Sequence, residues 1–289
     1  MKAIKWYFLL SVCVCLSCEH THKETGVLTS GIASDAEVDL FDSTGMTIST
    51  RFDVPKNYNR VPVASYSFAE YLRSIPLHSA DRKVMLYNGD IKPNQHAHAA
   101  VLDIDVGNRD LQQCADAIMR LRAEYLYEQK RYDEINFHFV NGFLARFDKW
   151  SDGFRIRVNG NQVSWYQTNE MGAGRSVFMD YMKMVFMYAG TPSLEKELNK
   201  KRFEDIAIGD VFIQGGSPGH AIIVMDVAKN DSSGNVIFLL AQSYMPAQDI
   251  HILKNYNRDN IGPWYSVADI IEKLKTPEWT FNKNDLKTF

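Results

Sequence analysis

GDVFIQGGSPGHAIIVMDVA, residues 209–228, holds two strands and the bend between them. Gly209-Asp210 turns the chain into the first strand, and Gly215, Gly216, Pro218 and Gly219 punctuate the bend. Ala221–Val227 is a nearly continuous apolar run, the pattern of a strand buried on both faces. His220 stands at the mouth of that strand, exposed by the Gly-Pro-Gly bend. It is a candidate general base of a hydrolase, or a ring that caps the bend by hydrogen bonding. The bend leads into a strand and lacks the following helix and lysine of a phosphate-binding loop.

On the C-terminal side Val236–Ala241 is a third strand, joined to the second by a hairpin at Asp231–Gly234. Gln242 ends it, and an amide in that buried position needs a partner; His220 is the economical one. A late helix is expected near Val267–Leu274, before a tail with Trp279 and Phe281. On the N-terminal side, Phe178, Tyr181, Met182, Val185 and Ala189 line one face of a helix over Ser176–Tyr188, with Ser176 as N-cap. Leu111–Glu128 is a second helix, capped by Asp110, with Leu111, Cys114, Ala115, Ile118, Leu121 and Tyr125 on its apolar face. Ser65–Ile75 reads as a third. Strands are expected at Thr50–Val54, Lys83–Tyr87, Ala99–Val106 and Ile135–Val140. Arg155–Val158 and Gln162–Tyr166 form a hairpin across Asn159-Gly160. Helices and antiparallel strands in this order give an α+β fold.

The chain has 289 residues with 45% hydrophobic and 23% charged content, which suits a globular domain with a real core. Its formal charge of −3, without a long basic patch, gives no electrostatic basis for nucleic-acid binding. MKAIKWYFLLSVCVCLS, residues 1–17, has early lysines and then an apolar run too short to span a bilayer comfortably. Cys18 follows, ahead of the polar EHTHKETG, so the segment resembles a bacterial lipoprotein signal with Cys18 as the lipidated residue. A plain secretory signal is the alternative. Residues 18–44 read as a flexible tether and 45–289 as one domain, held at a membrane surface by an acyl anchor rather than across it. Of the four cysteines only Cys114 then remains in the exported domain, so no internal disulfide is possible there.

Two resemblances follow from these residues. SFAEYLRSIPL, LQQCADAIMRLRAEYLY, YAGTPSL, GDVFIQGGSPGHAIIV and LLAQSYMPAQ resemble a family of uncharacterised lipoproteins of gut-type Gram-negative bacteria, a likeness that implies no activity. Residues 176–242 resemble the core of the NlpC-type cell-wall cysteine peptidases, which have a reduced papain-like fold. In that family a helix begins with the nucleophilic cysteine, a Gly-Asp strand follows, the next strand opens on the catalytic histidine, and the third carries a polar orienting residue. The resemblance assigns SVFMDYMKMVFMYAG, GDVFI, HAIIVMDV and VIFLLAQ to these parts, with His220 and Gln242 in the last two roles. It implies an NlpC/papain-like core at about residues 176–245 behind an elaborated N-terminal half. The cysteine position falls near Phe178, and no cysteine occurs in 176–188.

Cys114 is the one thiol left to serve His220. At the start of its helix the dipole favours thiolate, whereas on an apolar face it is an inert core residue. Gln112 and Gln113 are possible oxyanion donors or plain surface residues. His96, His98 and His138 read as solvated histidines, since a third metal ligand is missing, and no cofactor is expected. Trp150, Trp165 and Tyr166 are packing aromatics or a sugar platform. Arg120, Arg122 and Glu124 suit ion pairs on the helix. The expected function is that of an anchored envelope protein whose peptidase-like scaffold, its usual nucleophile position lost, binds a cell-wall (peptidoglycan) peptide or glycan. The alternatives are an active cysteine hydrolase or amidase using Cys114, His220 and Gln242, and a structural subunit of an envelope complex.

Overall fold

A computed structural model describes residues 40–289, and these form a mixed α+β fold. In chain order the first elements are α1 (Ile48–Arg51), β1 (Tyr58–Arg60), α2 (Phe68–Ser74), β2 (His98–Val101) and α3 (Cys114–Glu128). A middle group holds β3 (Asn136–His138), β4 (Leu144–Arg146), α4 (Phe147–Ser151), β5 (Phe154–Asn159), β6 (Gln162–Gln167), α5 (Arg175–Tyr188) and α6 (Thr191–Glu197). Next come β7 (Asn199–Lys200), β8 (Val211–Gln214), β9 (His220–Asn230), β10 (Val236–Gln242) and β11 (His251–Leu253). The chain finishes with β12 (Tyr265–Ser266), β13 (Lys273–Lys275), β14 (Thr280–Asn282) and β15 (Leu286–Thr288).

A nine-stranded sheet runs β2-β11-β10-β9-β8-β15-β7, with β1 added to β9 and β12 to β10. Its neighbours pair antiparallel. β9 lies at the centre because both its faces are apolar. Ala221, Ile223 and Met225 join the core that contains Ile118 and Leu121 of α3. Ile222, Val224 and Val227 join a second core with Phe203, Phe281 and Leu286. Each large apolar side chain removed from water there contributes about 1.5–3 kcal/mol. Side-chain alternation separates the two sets as far as Met225, where a register shift against β10 puts Val227 on the second face. A strand with cores on both sides therefore reads as an unbroken apolar run.

Several expected elements change on folding. The Thr50–Val54 stretch is not a strand, because Thr47 and Thr50 exchange cap hydrogen bonds that close the short α1 around Ile48. Lys83–Tyr87 forms only isolated bridges at Met85 and Leu86. The helix expected over Val267–Leu274 is a single 3₁₀ turn at Val267–Asp269 followed by β13, whose Leu274 enters the second core. Trp279 and Phe281 belong to the hairpin that β13 makes with β14 rather than to a loose tail. α5 begins one residue early, with Gly174 as N-cap, so Ser176 is an exposed helical residue and not the cap. α3 begins at Cys114 rather than Leu111, because the Asp116 carboxylate accepts from the Gln113 backbone N–H at 3.0 Å and makes Gln113 the N-cap. α3 is also the helix laid along β9, while α5 packs behind it against α4 and α3.

Candidate functional site

The glycine bend fixes the start of β9. Gln214 and His220 are register partners across it. Gly219 is required at its place, since a Cβ there would meet Thr191 Oγ1 at 2.5 Å and the carbonyl oxygens of Gly216 and Gln214 at 2.7 and 2.8 Å. The bend is thereby clamped to the start of α6, and His220 is delivered into the sheet end with only 1% of its surface exposed. Its Nε2 lies 2.9 Å from Oε1 of Gln242, at the end of β10. An amide oxygen only accepts, so Nε2 carries the proton and the neutral ring has its lone pair on Nδ1. The imidazole is walled by Tyr244, Trp279 and Phe281, with centroids at 4.7, 5.3 and 5.9 Å. Burial pushes its pKa down to about 4, against the Gln242 hydrogen bond and the nearby Glu278, which favour protonation.

Cys114 is the first residue of α3 and is buried, at 7% exposure. It lines a cleft of about 450 Å³ together with Asp110, Leu111, Val140, Met187, Pro218 and Met245. Burial, and then the neighbouring Asp116 carboxylate, push the thiol up to about 11. Hydrogen bonding to the backbone of Ala115 and Ala221 opposes this. The sulfur therefore sits against the backbone of the residue that follows His220. Neither the thiol nor the imidazole is charged at neutral pH, and no hydrogen bond joins them.

A polar chain extends behind Gln242, from buried His251 and Lys92 out to half-buried Glu278 and exposed Asn94, and none of its further members was singled out by sequence. Gln242 Nε2 donates to Glu278 Oε2 at 2.6 Å and lies 3.4 Å from His251 Nε2. Glu278 is ion-paired with Lys92 and accepts from Asn94 Nδ2 at 3.1 Å. His251 Nδ1 lies 2.9 Å from the Asp249 carbonyl, and burial drives its pKa well below the usual histidine range. Glu278 and Lys92 reach this point from the β13–β14 turn and from an N-terminal loop, 36 and 150 residues from Gln242 in sequence. A lone lysine and glutamate in polar stretches carry no local signal of burial.

Phe178, the residue expected opposite His220, is elsewhere. It is fully buried against Tyr127 and Phe147, with centroids at 4.4 and 5.5 Å, because α5 is not the helix on the sheet. Gln112 is buried, its Oε1 accepting from Arg120 Nη1 at 3.0 Å and its Nε2 unpaired. Gln113 Nε2 donates to Asp110 Oδ1 at 3.0 Å. Arg120, Glu124 and Arg175 form an ion-paired cluster. His98 lines a separate cleft with His96, and His138 Nδ1 sits 3.3 Å from Glu197 Oε1. Among the described residues no three His, Cys, Asp or Glu side chains converge as metal ligands. Trp150 is core beneath Arg155, whereas Trp165 packs on Phe143 at the hairpin and Tyr166 is partly exposed. Among the same residues no helix is long and apolar enough to cross a membrane. Residues 1–17, read from sequence as a signal, and Cys18 lie outside the described residues.

No curated protein and no solved structure matches the chain. Residues 48–288, the whole of the sheet and its helices, match the family described as "Domain of unknown function (4846)", and the chain belongs to that family.

Proposed function

We propose that the chain is a cysteine hydrolase of the amidase or peptidase type, with Cys114 as nucleophile, His220 as base and Gln242 as the residue that orients the ring. The observation that carries this is one of elements. The helix whose first residue is Cys114 lies along the strand whose first residue is His220, and the thiol rests on the backbone of Ala221. The order cysteine helix, histidine strand and polar-residue strand fits the NlpC-type resemblance, with α3 and not α5 as the cysteine helix. In this reading the long segment between α3 and β8 is an insertion into a papain-like core.

His220 Nδ1 takes the thiol proton as Sγ attacks the carbonyl carbon of an amide in the cleft. The developing oxyanion lies near the start of α3, where the first N–H groups have no partner within the helix. The imidazolium then protonates the leaving amine, and a thioester remains on Cys114. Water deprotonated by the same ring hydrolyses it. Both groups are neutral at rest, so proton transfer accompanies attack rather than preceding it. The cleft is walled by apolar residues such as Leu111, Val140, Met187 and Met245, with Asp110 and Asp116 but no lysine or arginine in its lining, which suits a peptide more than a polyanion. His220 is not itself in that lining; it stands one residue beyond Gly219, which is. A cell-wall peptide is the proposed substrate class, and the proposed location is the cell envelope, with Cys18 lipidated.

A second function, binding of a cell-wall peptide or glycan without turnover, is favoured by the raised thiol pKa and the lowered imidazole pKa. Incubation with peptidoglycan peptide fragments separates the two. Release of new amino groups by the unaltered protein, abolished in Cys114→Ala and His220→Ala, is expected. Binding without release, equal in Cys114→Ala, would leave only the binding function. Cys18→Ser is expected to move the protein from the membrane fraction to the soluble one; retention in the membrane fraction would remove the lipid anchor.

A further inference from the structure

We infer that Glu278 is a positioning residue of this site, which sets the protonation pattern of His220 through Gln242; the inference rests on the hydrolase reading for its purpose, though not for its geometry.

An amide side chain can present either its oxygen or its nitrogen to a histidine, and the two choices give opposite tautomers. Presented with oxygen, His220 holds its proton on Nε2 and keeps the Nδ1 lone pair. Presented with an NH₂ group, it holds the proton on Nδ1 and loses the base. Neither Gln242 nor His220 decides between these, because the pair is satisfied in both.

The decision lies on the far side of the amide. Two groups face Gln242 Nε2. Glu278 Oε2, at 2.6 Å, is a carboxylate oxygen paired with Lys92 and only accepts. His251 Nε2, at 3.4 Å, is the lone-pair nitrogen of a neutral ring whose Nδ1–H donates to the Asp249 carbonyl at 2.9 Å. A flipped amide would set its oxygen against the carboxylate and against that lone pair. Gln242 is 1% exposed, so water cannot relieve the clash. Two acceptors thus draw the NH₂ group, turn Oε1 toward His220 and fix Nε2–H.

The carrier of Glu278 is the turn between β13 and β14. Thr276 holds it, its backbone N–H donating to the Trp279 carbonyl at 2.9 Å and its hydroxyl oxygen accepting from the Trp279 N–H at 3.1 Å. Trp279 Nε1 donates to Gln214 Oε1 at 2.9 Å, which ties the same turn to the register partner of His220. The C-terminal hairpin therefore sets the ring as well as covering it.

The test is ¹⁵N NMR of the imidazole nitrogens in the full protein, joined to the rate of Cys114 alkylation by iodoacetamide. In the unaltered protein His220 is expected as the Nε2–H tautomer; the Nδ1–H form there would overturn the inference with no variant needed. In Glu278→Ala the Nδ1–H form is expected to appear and alkylation to slow by about tenfold, the lower end of the loss seen when a metal-binding histidine loses the partner that orients it. Glu278→Asp should restore part of both. Lys92→Ala, which keeps the acceptor, should leave the tautomer unchanged. A single unchanged tautomer in folded Glu278→Ala would also overturn it. A tautomer that responds as expected, in a protein that never turns over peptide fragments, would retain the positioning role and remove the hydrolase.

Discussion

His220 shows how one side chain registers its surroundings. The ring is neutral with a folded-state pKa of about 4, set by burial. The unfolded value is about 6.5. Above about pH 6.5 neither state holds the extra proton; between there and about pH 4 the unfolded chain takes one up and the folded chain does not. Stability is therefore expected to fall as pH drops through that window, by on the order of 3 kcal/mol from this residue. Urea unfolding at about pH 7 and about pH 4.5 measures this. In His220→Gln the loss between the two pH values should be smaller, and identical losses would show that the ring does not contribute. His251 acts in the same direction, also through burial. None of this was legible from His220 in sequence, where the glycine bend suggested an exposed ring. The bend is instead clamped on α6, and Tyr244, Trp279 and Phe281 close over the imidazole.

At the scale of elements, β9 gathers the rest of the fold through a polar contact as well as an apolar one. Asp226, fully buried on β9, accepts from Arg60 of β1 and from Arg73 of α2, at 2.7 Å each. Asp226→Ala would leave two partly buried guanidinium groups without their carboxylate. The expected cost is about 3–5 kcal/mol. A lower urea midpoint with an unchanged slope would report it; a midpoint equal to that of the unaltered protein would show that the pair is replaceable by water. The strands β8, β9 and β10 were readable, because buried strands leave dense apolar runs and their connecting turns carry Gly, Pro, Asn and Asp. The Val267–Leu274 segment was not. Its spacing of Val267, Ile270, Ile271 and Leu274 suits a helix, yet pairing with Thr280–Asn282 buries Leu274 and Phe281 together and wins.

For the whole molecule, the matching family segment reaches residue 288, and the last strand is structural. Leu274, Phe281 and Leu286 fill the second core beneath β8, β9 and β10. Removing residues 273–289 would uncover that core and take away Glu278. The shortened chain is expected to lose its cooperative thermal transition and to be degraded rapidly in limited proteolysis. A sharp transition near that of the full chain would show that the helical face alone sustains the fold. The apolar patterning of β8, β9 and β10, the existence of the helix that ends at Glu128, though not its start at Cys114, and the adjacency of His220 and Gln242 all follow from local rules: period, turn residues and the need of a buried amide for a partner. Which helix lies on the sheet, and hence whether Phe178 or Cys114 stands near His220, does not follow from them. Both helices are amphipathic and either could cover the apolar face of β9. Long-range packing gives that place to α3 and brings Lys92 and Glu278 together behind Gln242, because only the closed fold sums burial and pairing over contacts so distant in sequence.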